Sequence, residues 1–143
     1  MYKKGFSLVE IIFVIAIIAV LITVAMGKFG NSLSQTNIIK IKADILNIQD
    51  GINRYKRSNI LKNSNKPLES LELEGEKEQL FSAILEKPIK QSLEQRAKAW
   101  SKISDNSYKV YIDNQHYVQF DYDSQNNSFE CDDEDPNCQK LIQ

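Results

Sequence analysis

An apolar run extends from Phe6 to Met26, broken only by Ser7, Glu10 and Thr23, and Glu10 is its one ionisable side chain. A carboxylate within such a run costs roughly 2.5–3.5 kcal/mol on insertion scales, and it usually marks a functional position with a partner nearby. Near the other end of the chain, Cys131 and Cys138 enclose Asp132-Asp133-Glu134-Asp135-Pro136-Asn137. Export to an oxidising compartment would allow the two thiols to form a disulfide. The eight-residue ring so closed contributes about 2.5 kcal/mol in the chain-entropy account. Asp132, Asp133 and Asp135 offer hard oxygens that calcium could use, but neither a DxDxDG loop nor a distal glutamate accompanies them. The plainer expectation is an exposed acidic loop and no cofactor. His116 is the single histidine, and no nucleophile or carboxylate pair is arranged around it in the sequence. Zinc and catalysis are both disfavoured, and no enzyme is expected.

The elements that must position these groups follow from composition and periodicity. The chain has 143 residues, 26% of them charged and 42% hydrophobic, with a formal net charge of −1. That length suits one modest domain, and the net charge gives no global attraction to nucleic acid or anionic membrane. The apolar run is long enough to cross a hydrocarbon core about 30 Å thick as a helix. Lys3 and Lys4 precede it, which favours a cytoplasmic N-terminus and a body on the other side. A cleaved secretory signal ending near Ala25-Met26-Gly27 and a plain uncleaved anchor are competing readings. Glu10 speaks against both, because neither has a use for its cost.

The segment Gly5-Phe6-Ser7-Leu8-Val9-Glu10, behind a short basic leader and ahead of a continuing apolar run, resembles the processing site of type IV pilins and of the pseudopilins of secretion and DNA-uptake machines. The resemblance implies cleavage after Gly5 by a prepilin peptidase, N-methylation of the new terminus at Phe6, and assembly through Glu10. It also implies an α+β pilin-like fold, with a long N-terminal helix whose first half is transmembrane, packed on a small antiparallel sheet. Cleavage would leave an ammonium group on Phe6, about 6 Å of helix rise from Glu10. A buried carboxylate and ammonium can neutralise one another, whereas each alone is very costly. Axially offset helices of two subunits can bring them together and so set register. The partners implied are other copies or related pilins, the prepilin peptidase and an inner-membrane assembly platform. The Cys131–Cys138 segment likewise resembles the C-terminal disulfide-bounded region of many type IV pilins, although it is shorter.

The expected organisation is a leader at 1–5, a membrane and filament-core helix at 6–27, its amphipathic continuation at 28–58, and a head at 59–143. Ile38, Ile41, Ile45, Ile48, Ile52 and Tyr55 recur at steps of three and four, one apolar stripe on a helix, with Lys40, Lys42, Asp44, Asn47 and Asp50 expected elsewhere on its surface. A helix from Phe6 to about Ser58 would be about 80 Å long. Gly27 and Gly30 weaken helix propensity, and the resemblance to pilins implies a place where the helix could loosen on assembly. Beyond it, Glu76–Lys87 is expected to be a short amphipathic helix carrying Leu80, Phe81, Ile84 and Leu85. A further helical turn is expected within Ser92–Trp100, with Trp100 as a core or edge anchor.

Alternation then predicts three strands, from Ser107 to Ile112, from His116 to Tyr122 and from Phe129 to Cys131, with turns at Asn114-Gln115 and Asp123–Asn127. Charge falls in blocks: basic over 54–66, acidic over 67–86, basic again over 87–102. Solvated faces are the plain account, and opposite blocks on neighbouring subunits could also attract. Little aromatic character is interleaved with the basic residues, which disfavours direct nucleic-acid binding. The function expected is a structural pseudopilin of a type II secretion or natural-transformation pseudopilus, carried in the inner membrane with a periplasmic head before assembly. A type IV pilus subunit for adhesion or motility, and a membrane-anchored periplasmic binding module, are the alternatives.

Overall fold

The computed structural model describes residues 7–64 and 66–143, with backbone alone described over residues 24–34. Two compact units divide the chain, Met1–Gln35 and Thr36–Gln143. The layout is α+β and pilin-like: a long N-terminal helix, a four-stranded antiparallel sheet and a small C-terminal helix.

Helix α1 runs Leu8–Leu61, three residues past the expected end. Its stop is a Schellman motif. Asn63 takes the left-handed conformation at φ 50°, the Ser64 amide donates to the Asn59 carbonyl at 3.0 Å, and the Asn63 amide donates to Ile60 at 3.1 Å. Asparagine substitutes for the glycine usual at this position because its short polar side chain tolerates that conformation. Within the second unit, Ile41, Ile48 and Ile52 are fully buried, and Ile38, Ile45 and Tyr55 pack at the margin of the same core. The stripe read from the sequence is therefore the face on which the sheet lies.

The sheet has the order β3-β4-β5-β6, all antiparallel neighbours, from Trp100–Ser104, Ser107–Tyr111, Tyr117–Asp123 and Ser128–Cys131. Three strands match expectation, and Val118, Phe120 and Tyr122 alternate inward along β5. The helix expected within Ser92–Trp100 does not form: residues 92–99 hold only a bend and a turn, and strand β3 begins at Trp100. Lys98 sits at φ 67°, the Ala99 amide donates to Arg96, and Trp100 opens the strand opposite Val110. Burial of the indole in the core outweighs the local helical preference. His116 lies before β5, in the turn rather than in the strand, where the Asp113 carboxylate accepts the amides of Gln115 and His116 at 2.7 Å each.

The helix expected over Glu76–Lys87 does not form. Strand β1, Gln79–Leu80, pairs instead with β2, Ile89–Lys90, and the chain between them makes one turn closed by Leu85 N to Phe81 O at 2.9 Å. Leu80 and Phe81 are both buried in the core, while Ile84 and Leu85 reach only its margin. Phe81 adopts φ 61°, a conformation that costs a bulky residue about 1–2 kcal/mol. Its ring is held at 4.7 Å from Tyr108, 5.5 Å from Trp100 and 5.8 Å from Phe129, centroid to centroid, so core packing offsets the strain.

The acidic segment is not wholly a loop. Helix α2, Pro136–Ile142, begins within it, with the Asp135 side chain accepting from Asn137 N and Pro136 in the first turn. Cys138 and Leu141 are its buried residues, and they seat it on the sheet.

Candidate functional site

Among the described residues of the first unit, the large apolar side chains from Leu8 to Ile22 are exposed. Ile11, Ile12, Phe13, Val14 and Ile15 are five consecutive residues, and their exposures run from 49% to 68%. At 100° per residue they sweep more than a full turn, so every face of this helix segment is apolar. Thr23 hides its polarity within the helix, its hydroxyl donating to the carbonyls of Ala19 and Val20 at 2.9 Å each. Glu10 stands in the first turn of α1, where the unpaired backbone amides favour a negative charge. Among the described residues no cation pairs with it. Gly5 and Phe6, the expected cleavage and methylation positions, lie outside the described residues. No helix among the described residues is long and apolar enough to cross a membrane, and side-chain description of this stretch stops at Thr23.

At the C-terminus the expected disulfide is present. Cys131, the last residue of β6, joins Cys138 of α2 with their Cα atoms 5.9 Å apart. Three of the residues between them accept local hydrogen bonds, Asp132 and Asp135 through their carboxylates and Asp133 through its backbone. Asp132 accepts the Glu134 amide at 2.9 Å, Asp135 accepts the Asn137 amide at 2.8 Å, and the Asp133 carbonyl accepts Gln139 Nε2 at 2.9 Å. Among the described residues no three His, Cys, Asp or Glu side chains form a group that could hold a metal ion.

Two buried polar networks went unrecognised in the sequence. Asp44, expected on the helix surface, is buried, pairs with Lys40 and accepts Trp100 Nε1 at 3.3 Å. The signal was present: Asp44 is three residues after Ile41 and four before Ile48, which puts it on the apolar stripe. Glu72 accepts Lys102 Nζ at 2.6 Å, the Tyr108 hydroxyl at 3.0 Å and the Phe81 amide at 3.2 Å. Burial, reinforced by the Glu72 charge, pushes the Tyr108 phenol far above its ordinary value. Nothing local distinguishes Glu72 from the five other glutamates of its acidic block.

Residues 1–26 match the prokaryotic N-terminal methylation motif. This is the prepilin-type signature of type IV pilins and pseudopilins. No curated protein and no solved structure matches the chain significantly. The prepilin signature belongs to structural proteins, implies processing by a prepilin peptidase and assembly with other pilins, and suggests a membrane-anchored chain. It ends before the head begins, so it describes the apolar helix and says nothing of what the sheet presents.

Proposed function

We propose that this chain is a structural subunit, a pseudopilin, of a type II secretion or natural-transformation pseudopilus. The peptidase cuts after Gly5 and methylates Phe6, and the mature chain polymerises through its N-terminal helix. The supporting observation is a helix exposed and apolar on all sides with one carboxylate, Glu10, near its start. A helix of that kind needs lipid or other helices around it. Both environments occur in sequence for a subunit that waits in the inner membrane, head in the periplasm, and then enters a filament. Residues 6–27 provide the membrane span and filament core, and residues 28–58 continue the helix into the head. Ile39 and Leu46, exposed and two helical turns apart, extend an apolar face away from the head's core toward neighbours. The role is mechanical rather than enzymatic.

N-terminal sequencing with mass measurement tests this reading. Methylated Phe6 is the expected first residue; Met1 would indicate an ordinary anchor, and residue 28 a secreted domain. The disulfide at Cys131–Cys138 favours a second reading, a surface pilus subunit for adhesion or motility. Deleting the gene and scoring secretion, transformation and piliation separates the two.

A further inference from the structure

The head carries two surfaces of opposite charge at opposite edges of its sheet. One is a groove of about 620 Å³ between α1 and the segment around β2. Lys40, Arg54, Lys87 and Lys98 line it, against Asp44 and Glu86. Lys40 is matched by Asp44, and Arg54 approaches Asp50 at 3.6 Å. Among the described residues Lys87 and Lys98 have no ion-pair partner. Lys98 lies two residues before the start of the β3 edge and is fixed there by its amide, which donates to Tyr111 O at 2.7 Å.

The other surface is a hollow of about 560 Å³ at the β5–β6 edge, lined by Asp121, Asp123, Glu130 and Asp132 and by no lysine or arginine. Asp121 and Glu130 stand directly opposite in the strand register. Like charges so placed destabilise a strand pair unless something positive faces them. Every partner that the structure gives Asp121, Asp123 and Asp132 is a neutral donor: Ser107 and Gln119 for Asp121, the 125–126 turn for Asp123, and the Glu134 amide for Asp132. The β3 and β6 edges are three strand spacings apart, about 14 Å. One head therefore cannot bring its own acidic edge into its own basic groove, but two heads can.

We propose that the basic groove at Lys87 and Lys98 receives the acidic edge around Glu130 and Asp132 of a second copy. The contact is heterologous, since different patches meet, and such contacts repeat along an open polymer instead of closing a dimer. It rests on the filament reading above and names the head surface that reading lacks. Salt weakens it, because the charges are largely exposed and the Debye length is about 10 Å at 0.1 M.

The test uses the full chain in its membrane. Copies labelled with light and heavy nitrogen are mixed, treated with a zero-length carbodiimide and digested. The expected products are mixed-isotope peptides joining Lys87 or Lys98 to Glu130 or Asp132. Lys87→Glu with Lys98→Glu, or Glu130→Lys with Asp132→Lys, lowers sedimentable polymer about tenfold. Co-expression of the two double variants restores it, because each then supplies the patch that the other has inverted. Polymer unaffected by either double reversal, or crosslinks only within one copy, overturns the contact. The filament reading is scored separately, by methylated Phe6 and sedimentable wild-type polymer. If those hold while the reversals do nothing, the surface alone is wrong; if wild type does not polymerise, both fall. A duplex DNA retained by the solubilised chain and released by Lys87→Glu with Lys98→Glu, with polymer unchanged, overturns the contact in favour of nucleic acid.

Discussion

Trp100 Nε1 donates to Asp44 Oδ2 across 3.3 Å, tying the first residue of β3 to a turn of α1 that lies 56 positions earlier. The indole has one donor and is buried, so this carboxylate fixes where along the helix the sheet edge sits. Asp44→Leu leaves that donor without a partner and should cost about 1–3 kcal/mol. Asp44→Asn keeps an acceptor and should recover most of the loss. Thermal unfolding of both variants in detergent checks the order.

Gly51 is in α1 where the segment after β1 packs against the helix. A Cβ there would stand 2.8 Å from the Ile84 carbonyl oxygen and 3.0 Å from Ile84 Cβ. Alanine gains about 1 kcal/mol of helix propensity at an ordinary site. Here overpacking costs about 1–3 kcal/mol and falls on backbone, which does not swing aside. Gly51→Ala should therefore lower the unfolding temperature, while Asn53→Ala, exposed on the same helix, should leave it unchanged or raise it slightly.

Reducing Cys131–Cys138, or changing both to serine, should destabilise the head by about 2.5 kcal/mol for an eight-residue ring. The effect should concentrate at α2, because Cys138 and Leu141 hold that helix to the sheet. Hydrogen exchange before and after reduction would locate it. Equal loss of protection across β4 and β5 would contradict a local role.

Alkaline pH should weaken the head through two phenols. Tyr122 donates to the Leu68 carbonyl at 2.9 Å, and burial, followed by the charge of Asp123, pushes its pKa up to about 12. Tyr108 is raised further in the same direction. A folded-state pKa above the unfolded value of 10 leaves stability intact below pH 10. The contribution is then lost as pH climbs through 12, since the unfolded chain gives up its proton first. Tyr122→Phe should lower stability by about 1 kcal/mol at neutral pH, through the lost hydrogen bond, and flatten the alkaline fall. Denaturant titrations between pH 8 and 12 read both effects.

Glu10→Ala should leave insertion into the membrane intact, since removing a carboxylate makes the run more apolar. Assembly should drop at least tenfold, because the terminal ammonium of a neighbour would then be buried without a counter-charge. Gly5→Val should block leader removal, read as a precursor-sized band. Normal polymer from Glu10→Ala would end the pairing idea.

Local chemistry and short-range periodicity were legible in the residues alone. The prepilin signature is one, because a peptidase reads a contiguous segment and no folding is needed to assemble what it reads. The stripe from Ile38 to Tyr55 and the alternation of β5 are others, since a helix face and a strand face repeat at intervals set by backbone geometry. The disulfide was foreseeable for the same reason: its partners are seven positions apart. Tertiary packing decided the rest. Leu80 and Phe81 have helical spacing with Ile84 and Leu85, yet the core took Phe81 in a left-handed turn, because burying its ring offsets both the lost helix propensity and the backbone cost of about 1–2 kcal/mol. Asp44, Glu72 and Gly51 derive their importance from Trp100, from Lys102 and Tyr108, and from Ile84, partners that lie 30 to 56 positions away in the chain or across a backbone contact. A carboxylate's worth depends on which donor reaches it once water has been excluded, and that is settled only when the sheet closes on the helix.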